Sequence, residues 1–220
     1  MTPEMFDIYD EDANRIGTAS REEVHTAGYW HQTFHCWLVR PEGNRRMVLF
    51  QLRSPSKDTF PDRFDITAAG HLTAGETIQE ASRELQEELG LCVPFDRLSL
   101  LFTVRTDERG TVRGRTFIDR EISHVFGYES DWPMDAYTLQ EEEVSGLYEA
   151  ELRELTDLFE GAIDSLEVRG VLAPSTNAGG NGGLPQARPG AESVRTVAKQ
   201  DFVPHPDDYY LRVFELLGKI

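Results

Sequence analysis

Three glutamates at helical spacing are the residues of this 220-residue sequence whose types and pattern could do chemistry. On a helix, Glu84, Glu87 and Glu88 occupy positions i, i+3 and i+4, which lie on one face with Cβ atoms about 6 Å apart. Carboxylates this close repel one another unless a cation binds them, and Mg²⁺ or Mn²⁺ prefers such oxygen ligands. The pattern therefore indicates a divalent-metal site, with a solvated acidic helix face as the alternative.

A glycine loop and a helix are expected to position these glutamates. Residues 77–89 carry apolar side chains at three- and four-residue steps, and Gly90 follows as a C-terminal cap, so a helix is predicted there. Residues 34–40 and 47–53 are short apolar runs on either side of a turn-rich segment, which predicts a β-hairpin. Further strands are predicted over 98–104, 116–128 and 144–148, and further helices over 152–163 and 206–217. This mixture predicts an α/β fold.

The domain organisation follows from a change of composition after residue 170. We expect a main domain over residues 1–170, a flexible Gly/Pro-rich loop over 171–195, and a C-terminal helical extension over 196–220 that packs on the domain. The loop contains PSTNAGGNGGLPQARPG, which has almost no large apolar side chain. It is either a lid or an insertion without a role, and the sequence does not choose between them.

The composition also limits the partners. The formal net charge is -17, and a surface this acidic repels phosphate polymers and anionic membranes, so we expect neither a nucleic-acid polymer nor a membrane as partner. No apolar run reaches the about 18 residues of a membrane span, and Cys36 and Cys92 form no CxxC motif. We expect a cytoplasmic protein, assembled as a homodimer, that binds a small phosphorylated substrate with the help of metal ions and a few basic side chains.

The segment GHLTAGETIQEASRELQEELGL resembles the Nudix box, whose pattern is Gly, five residues, Glu, seven residues, Arg-Glu-aliphatic, one residue, Glu-Glu, one residue, Gly-aliphatic. Every specified position is matched, by Gly70, Glu76, Arg83, Glu84, Leu85, Glu87, Glu88, Gly90 and Leu91. One residue is missing between Glu76 and Arg83, where the chain has six residues instead of seven. This departure puts the contact between the loop and the helix in doubt and leaves the spacing of the glutamates intact.

The resemblance to the Nudix hydrolases implies an α/β/α sandwich with a mixed β-sheet and metal-dependent hydrolysis of a diphosphate bond. It implies that Glu84, Glu87 and Glu88 bind Mg²⁺, or Mn²⁺, and that Arg83 and Glu76 brace the loop against the helix. Glu84 and Glu87, together with Arg83 and Glu76 of that brace, are the predicted catalytic residues. The general base that positions the attacking water stays open between a box glutamate and an outside acid from the run Glu141, Glu142 and Glu143.

A second resemblance is to the isopentenyl-diphosphate isomerase branch of the same superfamily. It rests on VHTAGYWHQTFHCW, on RSPSKDTFPDRFD and on the Gly70-His71 pair. In that branch two upstream histidines, the histidine after the box glycine and two later acids bind a metal. The matching positions are His25, His31, His71, Asp119 and Glu121, and we include Glu121 among the predicted metal ligands; each histidine has a structural, hydrogen-bonded role as its alternative.

The same resemblance suggests where the substrate binds. Arg53 and Lys57 match positions that contact the diphosphate, and with Gly70 and His71 they form the predicted substrate-binding set. Ala69 stands where the isomerases need a cysteine, which disfavours isomerase chemistry, because hydrolysis needs no thiol. An isomerase-like enzyme and a non-catalytic diphosphate sensor remain the alternatives. The substrate stays open among nucleoside, sugar and prenyl diphosphates, and His35 is expected to be a packing residue or a wall of the substrate pocket.

Overall fold

The computed structural model describes residues 3–112, 115–174, 190–206 and 208–220. This part of the chain contains eleven strands and four α-helices. The strands are β1 (Met5–Tyr9), β2 (Arg15–Ser20), β3 (Trp30–Glu42), β4 (Arg45–Arg53), β5 (Phe64–Asp65), β6 (Ala68–His71), β7 (Ser99–Val112), β8 (Arg115–Glu129), β9 (Val144–Glu151), β10 (Leu166–Leu172) and β11 (Glu192–Val197). The helices are α1 (Arg21–Ala27), α2 (Arg83–Leu89), α3 (Leu152–Glu160) and α4 (Tyr209–Leu217).

The strands form one mixed sheet around the long strand β3. Its main path runs β11-β10-β9-β4-β3-β1-β2. Strand β3 pairs in parallel with β8 along one edge and shares its other edge among β1, β6 and β4. The remaining paired strands that the structure describes run antiparallel, including the β7–β8 hairpin. Four strands therefore meet along β3, of which only β4 is its direct neighbour in sequence.

Side chains that alternate along β3 separate two hydrophobic layers. Phe34, Cys36 and Leu38 face α2, whereas Trp37 and Val39 face α3 and α4. This alternation buries one face of the sheet beneath α2 and part of the other face beneath α3 and α4. The predicted α/β/α sandwich with a mixed sheet and a C-terminal helix is confirmed.

Most of the predicted elements are present with changed limits. The predicted hairpin is formed by β3 and β4, and the strands predicted over 98–104, 116–128 and 144–148 are the longer β7, β8 and β9. No element was expected before residue 30, but β1, β2 and α1 lie there. Helix α1 is set by local signals: Ser20 and Glu23 form a capping box, and Gly28 ends the helix with a φ of 72°.

The helix predicted over 77–89 is shorter than expected. Regular α-helix begins at Arg83 and is preceded by a 3₁₀ turn, Glu80–Ser82. Glu80 accepts hydrogen bonds from the amide and hydroxyl of Thr77 at 2.8 Å, which holds the chain before the turn in a non-helical cap. A 3₁₀ turn rises about 2.0 Å per residue against about 1.5 Å in an α-helix, so three such residues gain about one residue of α-helical rise. The turn thereby offsets the missing residue of the box.

The chain after α3 returns to the sheet. Strand β10 ends at Leu172 and β11 begins at Glu192, so both ends of the predicted 171–195 loop lie in paired strands, and residues 175–189 lie outside the described part of the chain. Phe202 then bridges to Phe64, and α4, predicted over 206–217, packs in the core with α3. The domain limits themselves stay a prediction. No helix in the described ranges is long and apolar enough to cross a membrane.

Candidate active site

A cleft of about 1490 Å³ lies on the face of the sheet that α4 partly covers. Three groups of residues line it. The first, the box carboxylates, comprises Glu84, Glu87 and Glu88. The second, the histidine cluster, comprises His25, His31, His71, Asp119 and Glu121, of which His31 is fully buried behind the lining residues. The third, the C-terminal wall, comprises Val203, Pro204, His205 and Tyr209.

The box carboxylates gather at the edge of β6. Glu84 lies so close to Gly70 that a Cβ atom at position 70 would be 2.2 Å from its carboxylate carbon, which explains why the position requires glycine. The Ala69 amide donates to Oε2 of Glu88 at 3.2 Å. Glu84 and Glu88 are 9% and 3% exposed, whereas Glu87 is exposed at the cleft mouth. Two of the three carboxylates are therefore withdrawn from water beside a short strand.

Arg83 connects the glycine loop to this helix face. Its Nε donates to Oε1 of Glu76 at 2.7 Å and its Nη2 to Oε2 at 3.1 Å, so the pair is bidentate. Nη1 lies 2.8 Å from both Glu84 Oε1 and Glu87 Oε2. The brace is present although the box is one residue short. Arg83 thus holds Glu76, Glu84 and Glu87 in one ion-pair network.

The buried carboxylates favour their protonated forms. Burial, and then repulsion from Glu84, raises the pKa of Glu88 to about 8. Burial also raises the pKa of Glu84 to about 7, although the charge of Arg83 lowers it. A bound cation would remove this penalty, because it favours the charged form of each ligand. The donor set, carboxylates with a phosphate-accessible opening, fits a hard divalent cation such as Mg²⁺.

The cations predicted to bind substrate already have acidic partners. Arg53 Nη1 donates to Asp65 Oδ2 at 2.8 Å, and the guanidinium also donates to the Thr59 carbonyl. Lys57 forms an ion pair with Glu143, from the turn before β9. Both cations line the cleft, but each is neutralised. Their charge is available to an anion only in competition with these carboxylates.

The histidine cluster is assembled from α1, β3, β6 and β8. Nε2 of His25 and of His31 lie 3.5 and 3.7 Å from Asp119 Oδ1, and Nε2 of His71 lies 3.7 Å from Glu121 Oε1. One ligand atom from each histidine lies within 4.8 Å of the others, and His31, Asp119 and Glu121 satisfy the same limit. The structure therefore brings together all five residues that the second resemblance selected. Glu121 joins this cluster through His31 and His71.

The hydrogen bonding of the histidine cluster fits a metal ion. Nδ1 of His25 and of His31 contact the carbonyls of Arg21 and Tyr29 at 2.7 and 3.2 Å, which leaves Nε2 as the inward-facing nitrogen. The inward atoms His31 Nε2, His71 Nε2 and Asp119 Oδ1 are buried and make no hydrogen bond to a described residue. Buried polar atoms without partners are rare, and a cation would satisfy them.

One contact must change if His71 is to bind a metal through Nε2. Arg21 Nη1 lies 3.3 Å from Nδ1 of His71, and a guanidinium can only donate, so this contact makes Nδ1 an acceptor. A neutral histidine with Nε2 on a metal carries its proton on Nδ1 instead. Arg21 also contacts Glu4 at 3.2 Å and would shift toward it.

Burial controls the charge states of the cluster. It lowers the pKa of His31 to about 4, against the attraction of Asp119. It likewise lowers the pKa of His71 far below its usual range. Burial, together with the charge of Asp119, raises the pKa of Glu121 well above its usual value. Neutral imidazoles are the form that ligates metals.

The C-terminal wall was not predicted to line the site. His205 Nε2 lies 3.3 Å from Asp65 Oδ1, and the Tyr209 hydroxyl lies 2.9 Å from Nδ1 of His35 and accepts from Trp37 Nε1 at 3.2 Å. His35 is 5% exposed and lines the cleft. His35 was expected to be a packing residue or a wall of the substrate pocket, and it lies on the same face of β3 as the predicted ligand His31, because side chains alternate along a strand. His205 has no local signal, because sheet pairing brings it to Asp65.

Comparison with known proteins agrees with this geometry. Residues 30–168 match the NUDIX domain family. An uncharacterized Nudix hydrolase of Clostridium acetobutylicum is 37% identical over 217 residues, which cover 99% of this chain and 98% of that protein. A solved protein of Deinococcus radiodurans superposes with a TM-score of 0.54 at 23% identity, over 72% of this chain and 90% of that chain. The sandwich with its box at the sheet edge is thus the Nudix fold.

Two shorter matches concern diphosphate enzymes. A prenyl-diphosphate phosphatase of Methanosarcina mazei is 35% identical over 106 residues, 47% of this chain and 59% of that protein. An isopentenyl-diphosphate Δ-isomerase of Mycolicibacterium vanbaalenii is 37% identical over 92 residues, 41% of this chain and 49% of that protein. The chain belongs to the Nudix hydrolase family, and its resemblance to the isomerase branch is confirmed.

Proposed function

We propose that the protein is a metal-dependent hydrolase that cleaves the diphosphate linkage of a small nucleoside-, sugar- or prenyl-diphosphate-type substrate. The observation that carries the proposal is the burial of Glu84 and Glu88 beside Gly70, with their pKa values raised to about 7 and about 8. Buried, mutually repelling acids destabilise a fold unless something compensates them, and a divalent cation with a phosphate-bearing ligand does so.

Each residue of the box has a proposed role. Glu84, Glu87 and Glu88 would hold Mg²⁺ or Mn²⁺, which when bound withdraws electron density from phosphate oxygens. Glu87, which is exposed at the mouth, would also orient a water for attack on phosphorus, a role for which the run Glu141, Glu142 and Glu143 is the alternative. Arg83 and Glu76 keep the helix face in register with the glycine loop. The main contribution of the protein would be to position the water and the phosphate and to neutralise the phosphate charge.

The ion pairs of the cleft suggest that substrate binds with its metal. Arg53 and Lys57 are occupied by Asp65 and Glu143, and the cleft is lined by many carboxylates. An anionic substrate entering without a cation would meet net repulsion. We therefore expect substrate affinity to depend on Mg²⁺ or Mn²⁺. Gly70 and His71 complete the proposed substrate-binding set. Gly70 lies against Glu84 of the box carboxylates, and His71 belongs to the histidine cluster.

The histidine cluster is proposed as a second metal centre. Its imidazole and carboxylate donors suit a transition metal such as Mn²⁺. Isomerase chemistry lacks its thiol, because Ala69 occupies that position and Cys36 is buried on the α2 side, where burial raises the pKa of its thiol. Hydrolysis is therefore favoured over isomerisation. The cytoplasmic location and the homodimer remain predictions.

The test is turnover of a panel of nucleoside, sugar and prenyl diphosphates with Mg²⁺ or Mn²⁺, comparing the unaltered protein with Glu84→Gln. Loss of a metal ligand is expected to lower kcat/KM by at least about 100-fold, since even partners of metal ligands cost 10–100-fold. Glu80→Gln is the matched control, because Glu80 is an acid of the same segment that lies outside the cleft, and a glutamine oxygen can still accept from Thr77.

Three outcomes separate the candidate functions. Phosphate or diphosphate-containing products that disappear in Glu84→Gln and persist in Glu80→Gln support the hydrolase and name the substrate class. Interconversion of prenyl diphosphate isomers would support the isomerase alternative. Tight binding of one panel member without product would support the sensor and contradict the proposal.

A further inference from the structure

The residues of β3 that face the cleft differ between its two ends. His31, Thr33 and His35 point to the same side, and their partners on β8 are Glu121, Ser123 and Val125. From His31 to His35 the strand advances about 13 Å at about 3.3 Å per residue. The histidine cluster stands at the first end of this row, whereas His35 stands at the second end. The cleft therefore extends well beyond the histidine cluster.

The C-terminal wall closes the second end. The Val203 amide donates to the Phe64 carbonyl at 2.8 Å, which fixes the wall to β5. The rings of His205 and Tyr209 stack with centroids 4.4 Å apart, and the Tyr209 hydroxyl contacts His35. The wall combines these two polar rings with the apolar Val203 and Pro204, so it offers hydrogen-bonding atoms that a purely apolar tunnel for a hydrocarbon chain would lack.

Asp65 fixes the orientation of the His205 ring. Arg53 and the Ile66 amide also bind this carboxylate, at 2.8 and 2.9 Å. Because an ionised carboxylate only accepts, Nε2 of His205 donates to it, and Nδ1 is the ring nitrogen left for another partner. Within the described residues, Nδ1 of His205 makes no hydrogen bond, and the side chain is 15% exposed. A polar group in the cleft can bind this nitrogen.

We propose that His35, His205 and Tyr209 form a subsite for the part of the substrate beyond the diphosphate, and that it takes a hydroxyl- or ring-nitrogen-bearing group in preference to an alkyl chain. The inference rests on the proposed function for the position of the diphosphate. A site built to hydrogen-bond its ligand discriminates strongly against an analogue that lacks the polar group, because the analogue leaves a group of the site without a partner, which here is Nδ1 of His205. His205 is the specificity-determining residue.

The test measures binding to the full chain by calorimetry in saturating Mn²⁺, so that it does not depend on turnover. Four non-hydrolysable probes share one head group: methylenediphosphonate itself, its adenosine ester, its glucose ester and its isopentyl ester. We expect the adenosine or the glucose ester to bind at least 10-fold more tightly than the isopentyl ester. The tighter of the two identifies the source of the polar group.

Variants then assign the preference to His205. His205→Ala is expected to remove most of the 10-fold preference, and His205→Phe, which keeps a ring and lacks the nitrogen, separates stacking from hydrogen bonding. His124→Ala is the matched control, because His124 faces Gln32 outside the cleft. Equal retention of the preference by His205→Ala and His205→Phe would overturn the assignment.

Failure of this inference and failure of the proposed function give different results. If the isopentyl ester binds as tightly as both polar esters, the subsite is wrong even when the protein hydrolyses diphosphates. If Glu84→Gln retains full turnover, the role of the box is wrong even when the polar esters are preferred. Thermal unfolding of each variant shows whether its fold is retained.

Discussion

The box carboxylates and the histidine cluster line one cleft but are built in different ways. The box carboxylates lie within five residues on α2, so one helical turn and Gly70 set their geometry. The histidine cluster draws on four elements, and the register of β3 against β6 and β8 sets its geometry. The first site depends on local contacts, whereas the second depends on sheet assembly. A local change should therefore disable one site without the other.

Gly70→Ala gives the largest expected separation of the two sites. The added methyl group would overlap the Glu84 carboxylate and displace it, so we expect kcat/KM to fall by about 100-fold, the upper range for disturbed metal ligands. The metal content of the histidine cluster should stay unchanged. Steady-state kinetics and elemental analysis measure the two effects. Gly17→Ala is the control, since a Cβ there meets ordinary contacts at 3.9 Å. Unchanged activity in Gly70→Ala would contradict the assigned position of Glu84.

His31→Ala tests the histidine cluster, the site that depends on sheet assembly. It removes a buried ligand from the centre of the histidine cluster, so we expect the purified protein to lose one equivalent of bound transition metal. Activity should fall less than in Gly70→Ala, by about 10-fold, because the box carboxylates remain. The control is again His124→Ala. If His31→Ala and the control bind equal metal, the histidines are hydrogen-bonded structural residues.

The pH dependence of stability is the smallest expected effect. In the metal-free protein Glu84 and Glu88 bind protons up to pKa values of about 7 and about 8, while their usual value is 4.5. The folded state then holds more protons than the unfolded state, so the free energy of unfolding falls as pH rises through this range. His31, with its pKa lowered to about 4, acts oppositely below its usual 6.5. Above pH 6.5 the carboxylates therefore dominate.

Thermal unfolding in a chelator measures this effect. We expect the Tm to fall by roughly 5–10 degrees between pH 6.5 and 8.5, because two carboxyl groups with these pKa values lose about 3 kcal/mol of stability over that range. Saturating Mg²⁺ should reverse the fall, because the cation takes the place of the protons. Glu88→Gln should flatten the metal-free curve. A Tm that rises over the same range would show that the box carboxylates are ionised without metal.

The box carboxylates could be predicted from the sequence. The histidine cluster and the C-terminal wall could be predicted only in part. The spacing predicts that Glu84, Glu87 and Glu88 lie together, because helical geometry fixes which side chains share a face. The brace is present although the box is one residue short, and periodicity does not reveal the 3₁₀ turn that precedes α2. His25 and His31 were found through resemblance. No pattern joined His205 to Asp65, because their contact depends on a bridge between residues far apart in the sequence.

The parts of the cleft are synthesised at different times, because the C-terminal wall is far from the box in the sequence. Asp65 and His205 are separated by 140 residues, whereas Gly70 and Glu88 lie within one short segment. At about 5–20 residues per second, a ribosome takes on the order of ten seconds to pass from Asp65 to His205. For most of that interval the nascent chain already contains the whole box, residues 70–91, while His205 has not yet been synthesised. The second end of the cleft can therefore close only after the last strand, β11, and the wall residues that follow it have been made.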